Sequence, residues 1–182
     1  MIRLGRMFSD SLKELRSLPN LTLAAMLLAV SVCLSFLSFQ PFPFLKIGFS
    51  YLALAAVGMF FGPTVGFLVG GACDILGYLI KPTGDFNLLM TLIAALGGMI
   101  WGLFLYKNRT GLLRVILAKT TITVVCNLIL TTAVLCLYFG SAFAEIFPLR
   151  VLKNLCALPV EIALTYFLCR VLQTIRSRVG RT

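Results

Sequence analysis

Long apolar runs, separated by short polar or glycine- and proline-bearing stretches, set the pattern of this chain. Runs near the length a bilayer requires, roughly 17 to 25 residues, lie at 21–39, 63–80, 88–106, 112–139 and 148–172, with a shorter one at 48–61. Each predicts a helix, because backbone in hydrocarbon must satisfy its own N–H and C=O groups. The expectation is an all-α integral membrane protein, a bundle of six transmembrane helices. The second run is joined to the third only by Gly62-Pro63, so that pair forms a tight hairpin or one member stops short of a full crossing. Ahead of the first run, residues 8–18 place apolar side chains at helical spacing among Ser, Asp, Lys, Glu and Arg, the pattern of a short helix on a membrane surface.

Composition agrees. The chain has 182 residues, 60% hydrophobic and only 12% charged, with a mean hydropathy of +1.02; a soluble domain carries about 25% charge. A net charge of +10 would elsewhere point to nucleic acid. Here the basic residues lie between and beyond the apolar runs, so topology explains them and no nucleic-acid partner is expected. With six spans starting inside, eleven lysines and arginines fall on the cytoplasmic side and only Lys46, Lys81, Arg150 and Lys153 outside, with Lys119 left over inside the fifth span. That bias places both termini in the cytoplasm. The expected division is a cytoplasmic segment at 1–20, one six-helix membrane domain at 21–173 and a basic tail at 174–182. The first run is long for a signal peptide and leads into Gln40-Pro41-Phe42-Pro43 rather than a small-residue cleavage site, so it is read as a retained helix.

Histidine is absent, which removes histidine-based triads, zinc sites and bis-imidazole haem. The six cysteines all lie within apolar runs and form no CxxC pair; they read as small buried hydrophobes. No metal, cofactor or enzymatic machinery is expected.

One carboxylate stands out. Asp74 lies within the apolar run 63–80, where a charge costs roughly 2.5 kcal/mol or more unless it faces a polar interior. The run leads into the polar loop Lys81-Pro82-Thr83-Gly84-Asp85-Phe86-Asn87, a candidate cover for whatever Asp74 holds. On the sixth span Arg150, Asn154 and Glu161 stand four and seven residues apart and share a helical face. Together with Lys46, Ser50, Tyr78, Lys81 and Lys153 they outline a polar cleft open to the outside. A deep carboxylate with cations near the mouth suits a ligand with a hydrogen-bond-donating ring at one end and carboxylates at the other. Phe42, Phe44, Phe49, Tyr51, Tyr78 and Phe86 are candidates to cover its flat middle. The competing reading is a buried ion pair of Asp74 with Arg150 or Lys153 that locks the bundle, or cations that snorkel to the interface. Small residues recur one turn apart at Gly58/Gly62, Gly66/Gly70 and Gly98/Gly102 and, on the first span, at Ala25/Ala29. Such pairs permit close helix approach; the alanine face would be free for a partner protein if its helix lies at the bundle edge.

The segment LKIGFSYLALAAVGMFFGPTVGFLVGGACDILGYLIKPTGDFN (45–87), LGGMIWGLFLY (96–106) and RVLKNLCALPVEIALTYFLCR (150–170) resemble the substrate-binding S components of energy-coupling factor (ECF) transporters, the folate-specific type in particular. The resemblance covers nearly the whole chain from Leu21; its specific motifs are FGPxxGxxxGxxxDxxGYL and RxxKNxxxxPxE. It implies a multi-pass protein of the bacterial cytoplasmic membrane that captures folate from outside. It also implies delivery through a transmembrane T component driven by two ATPase subunits, with toppling in the bilayer to release the vitamin. No GxxxxGK[ST] motif occurs in this chain, consistent with ATP hydrolysis in partners. By the same resemblance Asp74 would accept hydrogen bonds from the pterin, Asn154 and Tyr78 would add polar contacts and Gly77 would let the ring approach. Lys46, Lys81, Arg150 or Lys153 would meet the glutamate tail, and Ala25 and Ala29 would dock the T component. The alternatives are an S component for thiamine, riboflavin or a pyrimidine precursor, or a membrane scaffold without a ligand; an intramembrane enzyme lacks a nucleophile and base pair.

Overall fold

The computed structural model describes the backbone of residues 2–37, 39–42, 45–82, 86–107, 111–139 and 143–179; side chains are described for most of these, those of residues 2–6, 39–42, 45–47, 138–139, 143–146, 149–150 and 175–179 excepted. The order of elements is α1 (Ile2–Glu14), α2 (Leu18–Phe36), β1 (Phe39–Phe42), β2 (Leu45–Ile47), α3 (Ser50–Phe61), α4 (Pro63–Ile80), α5 (Leu88–Leu105) and α6 (Leu112–Thr121). A π-helical stretch (Ile122–Leu130), α7 (Thr131–Phe139) and α8 (Phe143–Val179) complete it. Five helical segments are long and apolar enough to cross a membrane, at Leu18–Phe36, Pro63–Ile80, Leu88–Leu105, Leu112–Leu137 and Val151–Thr174; Ser50–Phe61 is apolar but shorter. The protein is therefore all-helical in its membrane-embedded part.

Several boundaries differ from the sequence-based expectation. The surface helix begins at Ile2 and ends at Glu14, and the first span opens at Leu18, where Pro19 sits in the first turn, a position that tolerates a missing N–H. The approach to α3 forms an antiparallel hairpin in which Phe39 pairs with Ile47 and Phe42 with Leu45; its prolines conceal the strand pattern. The last helix starts at Phe143 and carries Pro148 and Pro159 inside it, so the expected start at Pro148 falls within an existing helix. The expected basic tail begins as a continuation of α8.

A single residue joins α3 to α4. Gly62 adopts φ +87°, a left-handed value that L side chains resist, and Pro63 opens α4. The short α3 thus turns directly into its neighbour. The glycine spacings interlock in one seam: a Cβ on Gly66 would strike the backbone of Gly98, and one on Gly102 the backbone of Gly62 and Pro63. A Cβ on Gly58 would come within 2.7 Å of the Gly102 backbone N. Close backbone approach, not oligomerisation, is what these glycines serve.

The core follows from that seam. Trp101, Phe61, Leu105, Val57, Val65 and Val115 are among its fully buried side chains. Ser31 of α2 bridges to Cys73 of α4 at 3.0 Å and donates to the Ser50 carbonyl at 3.4 Å. Cys73, Cys126 and Cys169 are buried, but Cys33 and Cys156 are exposed, which corrects the expectation of six buried cysteines. A spanning helix turns apolar residues to lipid as readily as to its neighbours.

The amphipathic α1 is pinned to one end of the bundle. Ser11 Oγ donates to the Phe61 carbonyl (2.5 Å) and accepts from the Val65 amide (3.2 Å). Thr64 Oγ1 donates to the Phe8 carbonyl at 3.0 Å, and Lys107 reaches Asp10 at 2.8 Å. Glu14 accepts from Tyr106 Oη at 3.3 Å and Asn20 Nδ2 at 2.8 Å.

Candidate functional site

Asp74 stands in the C-terminal half of α4, partly buried. Its Oδ2 accepts a 2.7 Å hydrogen bond from Thr91 Oγ1 of α5, and among the described residues no cation pairs with it. The locking ion pair envisaged from sequence is therefore not formed with Lys153; the Arg150 side chain lies outside the described residues. A carboxylate held by one neutral hydroxyl keeps unmet acceptor capacity, since two oxygens offer about four lone-pair positions. Thr91 was not singled out in the sequence, because a threonine in an apolar run carries no signal of its own.

One turn further along α4, Tyr78 packs against Phe86 with ring centroids 5.1 Å apart, tilted at 57°. The loop is thereby tied back to the helix that carries Asp74. Asn87 caps α5 by accepting from the Leu89 amide at 2.9 Å, which places the loop's end. Gly77 turns toward α2: a Cβ there would lie 3.7 Å from Ser35 Oγ. Lys81 is exposed just past α4, and Asn154 is partly buried on α8. Among the described residues neither is joined to Asp74 by a hydrogen bond. The Lys46 side chain lies outside the described residues.

Glu161 has a different neighbour from the ones expected. Lys119 Nζ of α6 lies 2.9 Å from its Oε2, the side chains being 4% and 22% exposed, and the same ammonium sits 4.2 Å from the centroid of the Tyr51 ring on α3. Three helices thus meet at one cation, an ion pair and a cation–π contact together. The unassigned lysine of the fifth span was the available clue: a lone cation in an apolar helix calls for a partner as strongly as Asp74 does.

On α2, Ala24, Ser31 and Val32 face the bundle, whereas Ala25 and Ala29 are exposed. The small-residue face lies on the outer surface of the helix.

Comparison with known proteins decides the family. The family model described as "ECF transporter, substrate-specific component" matches residues 19–169. The chain belongs to that family. This substrate-specific component is accordingly a part of a transporter and not an enzyme. It is 37% identical over 131 residues to the folate transporter FolT of Clostridium novyi, covering 72% of this chain and 76% of that one. To FolT of Streptococcus mutans it is 28% identical over 163 residues, 86% of this chain and 88% of the relative. Among solved structures, FolT bound with folic acid superposes with a TM-score of 0.79 at 33% identity, over 85% of this chain and 94% of that one.

Proposed function

We propose that this substrate-specific component binds folate at the outer face of the bacterial cytoplasmic membrane and hands it to a transmembrane T component powered by two ATPase subunits. The likeness to the FolT structure solved with folic acid carries this reading. In it, the chain crosses the membrane six times with α3 as the short member, and both termini lie in the cytoplasm, as the distribution of basic residues favours. The pterin end of folate donates from its amino and ring N–H groups to Asp74, a charge-assisted pairing. Tyr78 and Asn154 flank the ring, and Lys46, Lys81, Arg150 or Lys153 meets the glutamate carboxylates. The exposed face of Ala25 and Ala29 receives the T component.

Calorimetry on the purified chain with folic acid, thiamine and riboflavin tests the reading. Folic acid alone should bind tightly. Preference for thiamine or riboflavin would replace folate as the substrate, and no binding at all would favour a scaffold role. Ala25→Trp should abolish cellular uptake and copurification of the T component while leaving folic acid binding intact; a full complex with normal uptake would remove the docking assignment.

A further inference from the structure

The meeting point of α3, α6 and α8 holds a polar atom, the Tyr51 hydroxyl oxygen. Tyr51 Oη is buried and has no hydrogen-bond partner among the described residues, a rare condition in a folded interior. Its ring is held by Lys119, whose ammonium engages one oxygen of Glu161, Oε2. The cation therefore fixes both the phenol and the carboxylate, and neither the hydroxyl hydrogen nor Glu161 Oε1 is consumed by the Lys119 contact.

The position of this cluster along the bundle is informative. Tyr51 lies ten residues from Phe61 and Asp74 eleven from Pro63, so at 1.5 Å per residue both stand about 15 to 17 Å from the Gly62 joint. The short α3, with 12 residues against 18 in α4, ends about 9 Å before α4 does. Its first turn, with Tyr51, therefore lies at about the height along the bundle at which Asp74 and Thr91 meet.

We propose that Tyr51 and Glu161 form a second polar reader of the vitamin ring, distinct from Asp74. The Tyr51 hydroxyl donates to a ring carbonyl or ring nitrogen, and Glu161 Oε1 accepts from an amino or ring N–H group. The ligand class is a planar heterocycle with donor and acceptor groups on its edge. This rests on the folate reading and deepens it. A cluster that merely knits three helices would use the ion pair and the ring face; it has no use for the phenolic oxygen.

Tyr51→Phe removes that oxygen and nothing else. Affinities of wild type and variant for folic acid, for pterin-6-carboxylate and for p-aminobenzoylglutamate, which lacks the ring, are measured by calorimetry, with the Tm of each ligand-free protein. The variant should bind folic acid and pterin-6-carboxylate roughly 5- to 10-fold more weakly, the value of one neutral hydrogen bond. Its affinity for the ringless half and its ligand-free Tm should not fall. Unchanged folic acid affinity in the variant overturns this inference alone, as does a loss confined to the ringless half or matched by a lower ligand-free Tm. Failure of the wild type to bind any of the three overturns the folate reading as well.

Discussion

Removing either Glu161 or Lys119 should cost this protein more stability than removing both. At 2.9 Å and an effective dielectric of about 20, the pair's gross attraction is roughly 6 kcal/mol. Much of that offsets the desolvation of two charges, so the quantity that registers on breaking the pair is the stranded charge, about 3 to 5 kcal/mol. The two partners are not equally enclosed. Lys119 is 4% exposed and Glu161 22%, so Glu161→Leu strands the more deeply enclosed charge and belongs at the upper end of that range. Lys119→Met strands the more accessible carboxylate and also loses the contact over Tyr51, worth about 0.5 to 2 kcal/mol. The double variant Lys119→Met/Glu161→Leu leaves no charge and should return to within about 2 kcal/mol of wild type. Unfolding of the ligand-free protein in detergent can be followed through Trp101, the chain's one tryptophan and 1% exposed. Losses that simply add in the double variant would refute the coupling and reduce the contact to two independent side chains.

Other expectations are as specific. Ser11→Ala should destabilise by about 1 to 3 kcal/mol, because the Phe61 carbonyl and Val65 amide lose their shared partner inside a buried contact; denaturant midpoints check it. Asp74→Asn should weaken folic acid binding by roughly 1.5 to 3 kcal/mol with protein yield preserved, and calorimetry showing no change would release Asp74 from the pterin. Gly98→Val should prevent the seam from closing, since even a Cβ meets the Gly66 backbone, and should abolish a folded peak in size-exclusion chromatography. The hydrogen bond from Lys107 to Asp10 raises the lysine above its ordinary value of 10.5. That contribution is present below pH 10.5 and fades as pH rises through the folded-state value, so Asp10→Asn should matter at neutral pH, by under about 1 kcal/mol at so exposed a pair, and cease to matter in strong alkali.

The spans were legible because hydrocarbon imposes one requirement on every residue of a crossing helix, and α4 was placed to the residue by Gly62-Pro63 before it and the polar loop after it. The hairpin at 39–47 was not, since Pro41 and Pro43 interrupt the alternation that marks strands. The long α8 was cut short at Pro148 for the same reason: proline reads as a boundary, but a helix with neighbours tolerates it. Asp74 announced itself through its surroundings, whereas its partner Thr91 did not. Glu161 was assigned by spacing to the face of Arg150 and Asn154, and spacing along one helix says nothing about a cation on another. Lys119 could have been matched to it only by asking which carboxylate its depth permits.

The anchoring of α1 makes that helix a rigid pointer. Contacts at Phe8, Asp10, Ser11 and Glu14 reach α4, the α3–α4 joint and the residues that close α5, so no free swivel separates this helix from the bundle. A fluorophore or spin label on the exposed side of α1, for instance at Ser9, would turn when the whole protein turns and stay still when only outer loops move. Polarisation measured from such a label therefore distinguishes rotation of the body within the bilayer from opening at its rim, with no label near Asp74.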